Sequence, residues 1–140
     1  MQNLDNQTEF SHDQIEEYRS KVWVIHDNVI LFKSLPMRVK EITSIQFQKL
    51  DELTQNMDYY YLITDSTEIK ERGGAEYRNW LSDELNKRNK IRFLYIIVDK
   101  SSIIRFSIKY MLSKVIGLKF NVFDKIEPAL NHIQKLENDT

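Results

Sequence analysis

The chain has no cysteine, three glycines and two prolines in 140 residues. Without cysteine there are no disulfides, no thiol catalysis and no thiolate metal site, which fits a reducing compartment. So little glycine and proline argues against long disordered or proline-rich segments. No apolar run approaches the roughly 20 residues that cross a bilayer. The start, Met-Gln-Asn-Leu-Asp-Asn-Gln-Thr-Glu, lacks the basic flank and apolar stretch of a signal peptide. A cytoplasmic protein without a transmembrane segment is expected. The length suits one domain with one core, and 41% hydrophobic and 11% aromatic residues are ordinary for a globular chain.

Two stretches organise what is present. Asp58–Asp65 (Asp-Tyr-Tyr-Tyr-Leu-Ile-Thr-Asp) and Ile91–Asp99 (Ile-Arg-Phe-Leu-Tyr-Ile-Ile-Val-Asp) are short apolar runs rich in β-branched and aromatic residues. Such runs read as strands buried on both faces, and each is followed by a helical pattern, as in βαβ units. Before them, Val22–Ile25 and Val29–Phe32 form the arms of a hairpin, with His26-Asp27-Asn28 between them. Asp and Asn tolerate the left-handed backbone that a tight turn needs.

Helix signals fill the intervals. Ser11-His-Asp-Gln14 can cap a short helix. Thr43-Ser-Ile-Gln46 fits a capping box, with Ile42 and Phe47 at the staple positions and Ile45, Leu50, Leu53 and Met57 continuing the stripe. The helix after Gly74 buries Tyr77, Trp80, Leu81 and Leu85 and stops near Asn89. A helix over Ile103–Ile116 carries an apolar surface wider than one packed face needs, which suits a cavity or a homodimer interface. Leu118–Phe123 reads as a last strand. Asp124-Lys-Ile-Glu127 resembles a second capping box, ahead of the core-facing Ala129, Leu130, Ile133 and Leu136. The expected fold is therefore α/β: a single-domain mixed sheet made of an N-terminal β-hairpin and three βα crossover units, in the order β-β-α-β-α-β-α-β-α. Residues 1–17 are expected to be flexible and 18–137 to form the domain.

The order and the end Phe123-Asp-Lys-Ile-Glu-Pro-Ala-Leu-Asn-His-Ile133 resemble the STAS, or SpoIIAA-like, superfamily, and the Ala75-Glu-Tyr-Arg78 helix opening is similar to it as well. The resemblance covers roughly Tyr18 to Leu136. It implies a bacterial, non-enzymatic regulatory module that binds a protein partner and needs no cofactor. Classical members are anti-sigma-factor antagonists switched by phosphorylation of a Ser or Thr at the start of the helix after the central strand. The matching stretch here is Gly73-Gly74-Ala75-Glu76, without a hydroxyl at those positions. Ser66 and Thr67 lie nearby, at the strand end. The superfamily fold also resembles that of lipid-transfer proteins, so a lipid or small-ligand carrier is an alternative.

The polar loop Asp65–Gly74 leaves the carboxyl end of a central strand and precedes a helix, the place where open α/β sheets bind things. Asp65, Ser66, Thr67, Arg72, Gly73, Gly74 and Arg78 are accordingly the candidate partner- or ligand-binding residues. Arg72-Gly-Gly74 can cradle an anion, although it lacks the Gly-Lys-Ser/Thr ending of a Walker loop. Asp65 and Asp99, at the ends of neighbouring strands, could serve a phosphoacceptor receiver-like domain, but the paired acid expected after the first strand is missing. His12, His26 and His132 share no metal-ligand spacing, and neither a Ser-His-Asp nor a His-Glu-x-x-His arrangement occurs. Net charge is −1, yet residues 86–125 carry ten Lys and Arg against Asp99 and Asp124. We read this excess as solvated side chains. Nucleic acid is not an expected partner, because RNA-binding sheets need aromatics on an open face.

Overall fold

The computed structural model describes residues 10–36, 39–69, 74–99 and 118–139. The elements are α1 (His12–Arg19), β1 (Val22–His26), β2 (Val29–Lys33), α2 (Lys40–Thr54), β3 (Tyr60–Asp65), α3 (Ala75–Lys87), β4 (Ile91–Ile97), β5 (Phe120–Phe123) and α4 (Ile126–Asn138). The strands form one mixed sheet in the order β1-β2-β3-β4-β5. β1 and β2 are antiparallel; β2 through β5 are parallel. This is the expected α/β domain with its hairpin first. The proposed helix over Ile103–Ile116, and with it the third crossover, lies outside the described residues.

Strand alternation divides the core into two layers. Ile30, Phe32, Tyr60, Leu62, Leu94 and Ile96 point to one face, where Phe47 and Leu50 of α2 and Leu85 of α3 cover them. Val29, Leu31, Tyr61, Ile63, Tyr95 and Ile97 point to the other, against Ala129 and Ile133 of α4. Both central strands are thus sandwiched, the reason their sequences are continuously apolar.

Long-range polar contacts hold α4 in place. Tyr59 and Tyr61 both donate phenolic hydrogen bonds to Glu137, at 3.0 Å to Oε2. Arg92 lies 3.6 Å from the same carboxylate and stacks 3.9 Å over the Tyr59 ring. Tyr95 meets His132 Nδ1 at 2.7 Å.

The hairpin turns as expected. Asp27 has φ 46, the left-handed region, and His26 closes β1. Asp27→Val should destabilise the fold by about 1–2 kcal/mol, because a β-branched side chain is strained there, whereas Asp27→Gly should be tolerated. Urea unfolding midpoints of the two variants check this.

Helix starts depart from local expectation in two places. Ser11 and Gln14 do form a capping box. The resulting α1 spans His12–Arg19, and Arg19 ties it to Glu52 of α2 at 2.6 Å. Thr43 and Gln46, by contrast, are not a capping box. The helix begins at Lys40, and both side chains point inward: the Thr43 hydroxyl lies 2.9 Å from Tyr77 Oη and Gln46 Nε2 donates to Lys33 O at 2.8 Å. Buried polar groups with good tertiary partners outweigh a local cap. Likewise α4 is capped at Lys125 rather than Asp124, with no side-chain cap bond.

Candidate functional site

The carboxyl ends of β2, β3 and β4 lie side by side because the three strands are parallel and in register, Phe32 beside Thr64 and Thr64 beside Ile96. The ladder continues past the strands: Ser34 N donates to Asp65 O at 2.9 Å and Ser66 N to Ile97 O at 2.8 Å. On the face covered by α2 and α3, a hollow of about 70 Å³ opens at these ends. Its floor is Phe32, Leu62, Leu94 and Ile96. Phe47 of α2 and Leu81 and Leu85 of α3 form apolar walls.

Polar groups ring the hollow and most already have partners. Ser34 and Ser66 share a hydroxyl hydrogen bond of 3.2 Å. Thr64 donates to Tyr95 O at 3.2 Å. Thr43 and Tyr77 meet as described, and Gln46, only 1% exposed, is held by the Lys33 carbonyl. Such a lining, apolar with a few oriented hydroxyls, binds an apolar group and orients it. Among the described residues that line it there is no His, Asp, Glu or Lys.

The sequence-predicted site residues divide around this hollow. Ser66 is buried and lines it. Asp65 instead folds back on its own loop, its Oδ1 accepting from Thr67 N at 3.1 Å and from the Thr67 hydroxyl at 2.7 Å. This short Asx-type turn is the role small acids commonly take after a strand. Lys33 and Glu68 bridge the loop to β2 at 3.2 Å, and Ile69 is buried beneath it. Gly74 caps α3 with open space around its Cα, and Arg78, half-buried, follows one turn on. Arg72 and Gly73 lie outside the described residues. Asp65 ends β3 and is committed to Thr67, whereas β4 ends at Ile97, two residues short of Asp99.

Sequence reasoning missed the lining itself: Phe32, Ser34, Thr43, Gln46, Thr64, Tyr77 and Leu81. A faint signal existed in the alternation Leu62-Thr64-Ser66, which turns polar on one face only as the strand ends. The basic excess of residues 86–125 is partly neutralised by acids outside that span. Arg88 makes a two-pronged pair with Asp51, at 2.9 and 3.0 Å, over the Phe47 ring, and Lys87 pairs with Glu84 at 2.6 Å. Among the described residues no group of three His, Asp or Glu is placed to hold a metal. No helix among them is long and apolar enough to cross a membrane.

No protein-family model matches this chain, and neither the curated proteins nor the solved structures contain a match to it.

Proposed function

We propose that the protein is a non-enzymatic regulatory module that binds a protein partner by taking one of its apolar side chains into the hollow at the carboxyl ends of β2, β3 and β4. The observation that carries this reading is the size of the hollow. About 70 Å³ is under half of the roughly 150 Å³ that accommodates benzene, and far below the 300 Å³ at which pockets for drug-sized molecules begin. A lipid chain does not fit such a space, but the end of a Leu or Val side chain does. A single buried apolar anchor at the centre of a contact is how protein interfaces concentrate their affinity. The Asp65–Ile69 loop, braced by Asp65 on Thr67 and by Lys33 on Glu68, supplies a polar rim. The STAS resemblance points the same way, toward recognition rather than chemistry. With glycines in place of the usual phosphoacceptor, recognition in this chain does not depend on that phosphoryl switch.

Filling the hollow from within tests the proposal. Leu81 is part-exposed on the wall, so Leu81→Phe should occupy the space and keep the melting temperature within about 4 °C. Peptides selected from a random library on the wild-type protein should share an apolar anchor and bind Leu81→Phe at least tenfold more weakly. Selected peptides that bind both proteins equally well would remove the reading.

A further inference from the structure

The opposite edge of the sheet carries a second surface. Among the described residues, β1 pairs on one side only. Its Trp23 is 42% exposed, Val24 37% and Ile25 36%, three consecutive large apolar residues on an edge strand. Edge strands in stable monomers commonly carry charges or proline as protection, but Val22–Ile25 contains neither.

The direction of the free backbone groups follows from the register. Lys33 N donates to Lys21 O at 2.8 Å, and Trp23 lies opposite Leu31 in the same ladder. Residues 21 and 23 therefore turn their backbone groups toward β2, and the antiparallel alternation turns those of Val22 and Val24 outward. Ser34 N and Asn28 O bond toward β3, which confirms the same parity on β2.

We infer that β1 pairs antiparallel with β1 of a second copy of this chain across a two-fold axis at Val24. Such an axis makes the contact self-complementary and closed. It sets Val24 against its own counterpart as a mutually hydrogen-bonded pair. It brings Trp23 of each copy opposite Ile25 of the other, on one face of a continuous ten-stranded sheet. It also brings Lys21, which pairs with Glu17 of its own chain at 3.1 Å, near the exposed Asp27 in the second copy's turn, so that opposite charges flank the apolar centre. The alternative axis at Trp23 sets Lys21 against Ile25 and loses that match. The bulge between Val24 and His26 increases the local twist and keeps the regular ladder short. The dimer is accordingly weak, as expected of interfaces at the small end of the range. This surface is separate from the hollow, and its test does not depend on the function proposed for that site.

Sedimentation equilibrium between 10 µM and 1 mM should show the mass rising from one chain toward two. Val24→Lys, which opposes two cations across the axis, should remain single at every concentration with an unchanged far-UV circular dichroism spectrum. Lys21→Glu and Asp27→Lys should each weaken association several-fold, and the double variant should restore it. Because the chain has no cysteine, Val24→Cys offers an independent reading that does not need tight binding. The Cα separation across a hydrogen-bonded antiparallel pair, near 5.5 Å, lies within disulfide range. Mild oxidation should cross-link Val24→Cys and not the surface control Gln134→Cys. A wild-type chain that stays single to 1 mM, equal dimerisation of wild type and Val24→Lys, or equal cross-linking of the two cysteine variants would overturn the inference. So would a single chain whose β1 instead adds a strand from an unrelated peptide.

Discussion

Replacing Leu62 with alanine should lower the free energy of unfolding by about 4 kcal/mol, toward the upper part of the range for buried leucines. Leu62 is fully buried at the centre of β3, between Ile30 of β2 and Leu94 of β4. Each neighbour belongs to a strand held in the ladder, so the backbone cannot move in to close the space. Leu62 is also part of the floor of the hollow. Truncation therefore enlarges an existing space rather than opening a fresh one that side chains can fill. Two measurements check this. Urea unfolding should show the loss in midpoint at constant slope. Benzene at millimolar concentration should raise the melting temperature of the variant and leave that of the wild type nearly unchanged, because only the enlarged space accepts the ring. A loss below 2 kcal/mol, or equal benzene effects on both proteins, would mean that the hollow closes when its floor is cut away.

The second large effect lies at alkaline pH. Burial pushes the Tyr60 phenol up from 10 to about 12 and raises those of Tyr61 and Tyr95 as well. All three rings are 2% exposed or less. The folded chain holds these protons more tightly than the unfolded chain, in which the phenols ionise near 10. The stability they contribute is complete below about pH 10 and is lost progressively as the pH rises through 12. For Tyr60 alone, two pH units correspond to roughly 3 kcal/mol. The chain should therefore unfold cooperatively between pH 10 and 12. Tyrosinate absorbance should contain a step that coincides with loss of circular dichroism, and Tyr60→Phe should shift that transition to higher pH. Smooth ionisation of all the phenols without loss of structure would contradict the packing described for β3 and β4.

Several features of this molecule are written locally. The runs Tyr60–Asp65 and Ile91–Ile97 are strands in any context that buries both faces, because no polar residue interrupts either apolar centre. The Asp27 turn, the Ser11–Gln14 box and the stripes on α3 and α4 follow from backbone preference and helical period, which act over a few residues. The α/β class could also be anticipated, since a hairpin followed by alternating strands and helices marks a mixed sheet.

Thr43 and Gln46 show where that legibility stops. Their spacing satisfies a cap, but their partners, Tyr77 and the Lys33 carbonyl, come from other elements and exist only once the layers close. Glu137 is equally silent in the chain, with Tyr61 76 residues away. The candidate loop divides for the same reason: Asp65 and Thr67 make a turn that sequence proximity alone explains, while Ser66 becomes part of a hollow made by three strands and two helices. By itself, then, the sequence determined which of the described segments are strands and helices and which faces seek burial, because propensity and alternation act at short range. Only the tertiary structure decided which polar side chains point inward, where the packing leaves room and which strands form the edges of the sheet, because those outcomes depend on groups that the chain brings together only on folding.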